Sequence, residues 1–355
     1  MEITDFFAQT RVLVVTGKGG VGKTTVSGVL ANLAARHGLS CLVAQLAPPG
    51  AATRTPETAH LSRMFGHSRV LDYDEIVLFG EELAEAVDGA DRGAPPPRRP
   101  QVRARALSPD TALVEYLHLH GMRRLSRKLA SSGALDVVAT AVPGMPDILV
   151  LGKVKQIERA AAAGQPGAPD VVVLDAPAAG HAVRFLQSPA GLLAAAGGGP
   201  VRAQAQEVVE MLTDPSRCQV VLVTTPEETP VSEAMETAQV LEDRAGVTLC
   251  TVVVNARLPT AELPGDLSAE ALVEAVARSG GLLSDDQASA LVAAAALRSE
   301  RQRSQAAQVR RLAEELPLPR LELPFCFSAD LGPEQLDELT SALEASVGAW
   351  APVEI

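Results

Sequence analysis

The run Gly17-Lys18-Gly19-Gly20-Val21-Gly22-Lys23-Thr24 has the spacing GxxxxGK[ST], and its setting constrains the fold more than any other feature of the chain. Before it, Arg11 to Thr16 reads as a buried strand; after it, Thr24 to His37 carries Ala and Leu at helical spacing. A glycine-rich turn between strand and helix lets main-chain N–H groups point inward at a phosphate, and the helix N-terminus adds partial positive charge. In that chemistry Gly17, Gly19, Gly20, Val21 and Gly22 form the cradle, with Thr25 following. Lys23 reaches the β/γ oxygens of a nucleoside triphosphate, and the Thr24 hydroxyl ligates Mg²⁺. ATP and Mg²⁺ are the expected ligands.

Gly38 ends the first long helix, and Ser40 to Leu46 is a second strand. A strand–helix–strand opening implies a right-handed crossover and a parallel sheet. Asp170 to Leu174, Gln219 to Thr224 and Thr248 to Val254 read as further core strands, and Leu318 to Leu323 as a short last one. Only 3% of residues are aromatic while 47% are hydrophobic, so the core must be built from Ala, Val and Leu, which suits strands buried on both faces. Ser108-Pro109-Asp110 starts a helix, and further helices are expected over Leu113–His120, Arg123–Ser131, Leu135–Thr140 and Pro146–Ala163. Ser284 with Gln287 suggests a capping box before a long Ala-, Arg- and Gln-rich helix.

These patterns divide the chain into a nucleotide-binding core over 1–107, 164–260 and 316–355, and a helical subdomain over 108–163 and 261–315 whose two parts are expected to pack together. Residues 89–105 hold Pro95-Pro96-Pro97-Arg98-Arg99-Pro100 and read as a polar insert.

The formal charge of −12 repels phosphate backbones, so nucleic acid is not an expected partner. Cys41, Cys218, Cys250 and Cys326 form no CxxC pair and read as reduced, buried thiols. The acidic N-terminus lacks an apolar leader, and no long uncharged apolar stretch occurs. A cytoplasmic protein without stable membrane insertion is expected.

Two motifs, GKGGVGKTT at 17–25 and LDAPAAGHAVRFL at 174–186, make the chain resemble the ArsA/Get family, the arsenite-pump ATPases and the ATPases that target tail-anchored membrane proteins. Pro143 to Lys155 (PGMPDILVLGKVK), Leu113 to Leu117 (LVEYL) and Gly198 to Gln206 (GGPVRAQAQ) are similar to the bacterial Get-like branch. The resemblance implies an α/β fold with a doubly wound, mostly parallel sheet of the P-loop NTPase, SIMIBI type, with an inserted helical subdomain. It implies an ATP-dependent dimer, formed with itself or with a paralogous ATPase, and a membrane-protein or other protein client. Lys18 matches the lysine of the deviant Walker A loop, which reaches the phosphates of the facing subunit; an ordinary solvated loop lysine is the alternative. Asp175 matches the switch II carboxylate that holds Mg²⁺ through water. Gly180 would let the backbone turn near the γ-phosphate, and His181 would transmit that state. Asn255 resembles an adenine-binding asparagine, and Pro324 lies in the segment that closes over the base.

One departure bears on catalysis. The family's switch I aspartate, which orients the attacking water, is replaced by Ala47 in Gln45-Leu46-Ala47-Pro48-Pro49-Gly50. A methyl group neither accepts a proton nor positions water, so hydrolysis is expected to be slow unless another carboxylate serves; Glu57 and Asp72 are near in sequence. A switch ATPase, a catalytically impaired scaffold paired with an active paralogue, an arsenite-pump subunit and a positioning ATPase of the ParA/MinD kind all share the loop. Measured turnover separates the first two. The cysteine pattern argues against the third, and the lack of a basic face or terminal amphipathic helix argues against the fourth.

Overall fold

The computed structural model describes residues 2–47, 58–80, 100–119, 121, 144–260, 267–328 and 330–349. Its centre is an eight-stranded sheet built from β1 (Val12–Gly17), β2 (Ser40–Leu46), β3 (Ile76–Phe79), β4 (Gln101–Leu107), β5 (Val171–Ala178), β6 (Cys218–Thr224), β7 (Leu249–Arg257) and β8 (Arg320–Pro324). The spatial order is β3-β4-β2-β5-β1-β6-β7-β8. Every pairing is parallel except β3 on β4. This is the doubly wound, mostly parallel α/β sheet that the strand–helix alternation predicts.

Period-2 geometry sends alternate residues of a strand to opposite faces. Leu13, Val15, Val171 and Val173 therefore enter one apolar layer, while Val12, Val14, Val172 and Leu174 enter the other. The first layer is closed by α1 (Ile3–Ala8), α2 (Lys23–Arg36), α3 (Thr58–Met64) and, at the far end of the chain, α11 (Pro333–Gly348). The other is closed by α5 (Met145–Ala162), α6 (Ala179–Ala195), α7 (Pro200–Thr213) and α8 (Glu228–Val240), with Leu312 of α10 (Asp285–Glu315). A one-residue slip in any central strand would exchange its two faces, but both are apolar, so the fit of side-chain shapes in the two layers, rather than polarity, must select the register.

The structure corrects the reading of residues 89–105. Residues 89–99 lie outside the described residues, but Gln101–Leu107 is a core strand between β2 and β3, not part of a polar insert. Its arginines are neutralised: Arg103 Nη1 pairs with Glu75 Oε2 at 2.7 Å and Arg105 Nη1 with Glu75 Oε1 at 3.2 Å. Arg105 also lies over the Tyr73 ring, 4.4 Å from its centroid.

The expected capping box at Ser284 and Gln287 is formed, and α4 (Pro109–Leu119) begins at the expected proline. The expected helices Arg123–Ser131 and Leu135–Thr140 lie outside the described residues. Helix α5 lies on the sheet, with Val150, Leu151, Val154 and Ile157 in its second apolar layer, and α4 packs on α5. Helix α9 (Ala269–Arg278) packs on α10, and α10 packs on α8; no such packing joins the 108–163 and 261–315 blocks among the main helix contacts of the described residues.

Between α5 and the strands, Glu158 is buried, its side chain 1% exposed. It accepts from Arg11 Nε at 2.8 Å and from Arg217 Nη2 at 2.6 Å. Burial alone would raise its carboxyl pKa, but the two guanidinium groups outweigh it and hold the value below the usual glutamate range. A depressed folded-state value means stability that is present at neutral pH and lost as pH falls through that value. Glu158→Gln should therefore lower stability by about 2 kcal/mol at neutral pH. Urea unfolding across a pH series should show this deficit shrinking in acid, where the wild-type carboxylate is also neutral.

Candidate functional site

The site forms at the carboxyl ends of β1, β2 and β5, where open α/β sheets bind ligands. In the ladder Asp175 of β5 sits level with Val15 of β1 and Gln45 of β2. Strand β5 runs on past Asp175 to Ala178, four residues beyond the Leu174 end that the sequence suggests. The Thr16 hydroxyl donates to Pro177 O at 3.2 Å, tying that extension to β1.

From β1 the chain turns through residues 17–22 and enters α2 at Lys23. Gly22 at the N-cap has φ +88, and a Cβ there would overlap the Asn255 amide. No side chain caps α2 and no acidic residue occupies its first turn, so its leading N–H groups face the loop as donors. The Thr24 hydroxyl donates to Asp175 Oδ2 at 2.7 Å, and Gln45 Nε2 donates to the same oxygen at 2.8 Å. Lys23 Nζ donates to Lys18 O at 3.2 Å, folding the side chain back over the loop.

The electrostatics fit a polyphosphate with a divalent cation. Burial lowers the Lys23 pKa, with Asp175 opposing the shift. Burial raises that of Asp175, against the hydrogen bonds from Thr24 and Gln45 and the charges of Lys23 and His60. Phosphate oxygens favour the charged lysine, and a hard cation favours the charged carboxylate. Thr24 and Asp175 provide the oxygen donors such a cation takes. Buried Gln45 also carries an orphaned acceptor, Oε1, beside them, which fits a hydrated ion.

A cleft of about 730 Å³ opens on this cluster. Lys23, Thr24, Gln45, Ala47, Asp147, Asp175, Ala178, His181 and Arg184 are among its lining residues. Ala47, after β2, is buried and donates its N–H to Leu107 O at 2.9 Å. Of the two carboxylates near it in sequence, Glu57 lies outside the described residues. Asp72 lines neither this cleft nor the next, and accepts from Tyr73 N at 2.7 Å. Gly180 sits in the first turn of α6 with open space where a Cβ would stand, so the backbone there makes no turn that needs glycine.

A second cleft, of about 740 Å³, lies beyond the loop, with Thr25, His60, Asn255, Pro324 and Phe325 among its lining residues. Here Asn255 Nδ2 donates to Val21 O at 2.9 Å, bracing the loop from β7. The next residue, Ala256, has φ +58, the left-handed region, and the register of β7 with β8 shifts between Val254 and Arg257. A bulge of this kind re-aims a side chain at a sheet rim. His60 Nε2 is 3.5 Å from the Thr25 hydroxyl, and burial, with the Arg63 charge, lowers its pKa. The structure thus brings Lys23, Thr24 and Asp175 together on one side of the loop, and Thr25, Asn255 and Pro324 on the other.

Lys18 points elsewhere. Its Nζ pairs with Glu233 Oε1 of α8 at 2.7 Å. The sequence reading missed Gln45, Asp147, His60 and Glu233. Gln45 alone carried a local signal, as a polar residue at the end of an apolar strand.

A glycine loop leading into α2, with its lysine and threonine set against a strand-end carboxylate, defines a P-loop nucleotide-binding protein. The chain belongs to the CobQ/CobB/MinD/ParA nucleotide binding domain family, whose pattern matches residues 12–281. It is 30% identical over 342 residues to ATPase BagA of Mycobacterium tuberculosis (strain ATCC 25618 / H37Rv), covering 94% of this chain and 92% of that protein. A Mycobacterium bovis protein named as a candidate ATPase is similar to the same extent. A Halobacterium salinarum protein named as a candidate arsenical pump-driving ATPase is 28% identical over 268 residues, 71% of this chain and 36% of that protein.

Gly22→Ala should strain the loop and push Asn255 away, weakening ATP about tenfold or more, since left-handed backbone costs a non-glycine residue roughly 1–2 kcal/mol before the overlap is counted. Titration calorimetry with Mg²⁺ and ATP checks this, and the strain carried by the nucleotide-free protein should also lower its melting temperature by a few degrees.

Proposed function

We propose that this protein is an ATP- and Mg²⁺-dependent switch of the ArsA/Get kind, working as a dimer with itself or a paralogue. The observation that carries this reading is the Lys23–Thr24–Asp175 cluster at the mouth of a glycine loop. In this proposal the loop amides and Lys23 hold the β- and γ-phosphates, and Thr24 and Asp175 hold Mg²⁺, directly and through water. The ion neutralises charge that builds on the transferring phosphoryl group. Asn255 braces the loop and, with Pro324, flanks the purine.

The Lys18–Glu233 pair leaves Lys18 available for a dimer-dependent role. Both side chains are partly exposed, 34% and 42%, so the pair is worth at most about 1 kcal/mol. A phosphate cluster on a facing subunit would outcompete it. The bacterial Get-like likeness supports a protein client. An arsenite role has weaker support: burial pushes the Cys41 and Cys218 thiols up to about 12, so neither offers a thiolate at neutral pH. Among the described residues no helix is long and apolar enough to cross a membrane. Buried Ala47 favours a second reading, a nucleotide-binding scaffold without turnover.

Lys23→Ala should lose at least tenfold in ATP affinity, since hydrogen bonds to charged groups are worth about 1.5–3 kcal/mol. Sedimentation with Mg²⁺ and a non-hydrolysable ATP analogue should give a dimer for the wild type, and a weaker one for Lys18→Ala. Unchanged binding in Lys23→Ala would remove Lys23 from the phosphate site, a wild type that binds no nucleotide would remove the nucleotide reading, and a monomer under all conditions would remove the homodimer.

A further inference from the structure

Ala47 leaves the reaction short of a group to orient water, yet the cleft contains a second carboxylate. Helix α5 begins after Gly144, with Pro146 and Asp147 in its first turn. That turn places Asp147 among the residues lining the cleft, together with Lys23, Thr24, Ala47 and Asp175. Asp175 is committed, because Thr24 and Gln45 both donate to its Oδ2 and the proposed cation needs it. Asp147 is half-buried, with Ser188 of α6 close enough to act on its carboxyl. The one proton of the Ser188 hydroxyl goes to Phe185 O at 3.0 Å, so Ser188 leaves the Asp147 carboxylate open.

We propose that Asp147 is the catalytic carboxylate of this ATPase, orienting the attacking water in place of the side chain that Ala47 lacks. The inference rests on the ATPase reading given above. In the step it serves, the water oxygen bonds to the γ-phosphorus and the bond from that phosphorus to the β–γ bridging oxygen breaks. ADP leaves with the electron pair, and the water proton passes to the Asp147 carboxylate and on to the released phosphate or solvent. Burial raises the Asp147 pKa, with nearby Ser188 opposing it, which makes the carboxylate a better proton acceptor than an exposed one. His181 lines the same cleft but is exposed, where bulk water competes for its ring nitrogens; it is the competing candidate.

The test measures ATP affinity and single-turnover hydrolysis separately in the full chain, for the wild type, Asp147→Asn, Asp147→Glu and His181→Ala. A positioned general base contributes about 10²–10⁴-fold. Asp147→Asn, which keeps the volume, should therefore lose about 100-fold or more in rate while its ATP affinity stays within about twofold. Asp147→Glu should retain more rate than Asn, because it keeps a carboxylate. An Asn variant that hydrolyses like the wild type overturns the assignment, as does a rate loss confined to His181→Ala. A wild type that binds ATP without hydrolysing it also overturns it and leaves the scaffold reading standing. A wild type that does not bind ATP removes both readings. Should Asp147→Asn fold poorly, as judged by circular dichroism, the Glu variant decides: a rate equal to that of the wild type with the carboxylate displaced by a methylene contradicts a positioned water.

Discussion

Asp175 holds the site in place. It is a buried carboxylate at the end of a central strand, and its desolvation must be offset by groups fixed around it. Thr24 and Gln45 donate to it, and Lys23 supplies opposite charge nearby. Those partners come from α2 and from β2, the strand paired with β5. The position of the carboxylate therefore depends on the register of β2, β5 and β1, and so on the two apolar layers that pack the sheet between helices. The glycine loop is positioned by the same arrangement, because it joins the end of β1 to the start of α2.

Two braces keep the loop in shape from outside. Asn255, re-aimed by the bulge at Ala256, donates to Val21 O, and Lys18 is drawn to Glu233 on α8. The first is a part-buried hydrogen bond to the loop's own main chain, and its removal should loosen the cradle itself. The second is a partly exposed ion pair, weak enough to be exchanged for a better anion. This difference in strength fits the proposal that the cradle stays constant while Lys18 changes partners.

Much of this was legible in the sequence because the loop motif fixes its own surroundings. The glycine pattern, the apolar strand before it and the Ala/Leu helix after it give β1, α2 and the phosphate-facing residues together. Asp175 followed from a strand that ends in a carboxylate. Strand β4 was not legible, because Arg103 and Arg105 beside a Pro-rich segment look like a solvated loop until Glu75 and Tyr73 are seen against them. Asp147 was hidden for a similar reason. It lies in a first-turn helical position that reads as a favourable helix start, and only the packing of α5 on the sheet brings it to the cleft. Gly180 was over-read: its likeness to a switch glycine suggested a turn where the backbone is helical.

The structure of the protein with Mg²⁺ and a non-hydrolysable ATP analogue tests the central claim most directly. The account places the β-phosphate against the amides of residues 19–24 with Lys23 on the γ-phosphate, the ion between Thr24 and Asp175, and the purine beside Asn255 and Pro324. A nucleotide seated away from this loop, or one that leaves Lys23 without a phosphate contact, would contradict it.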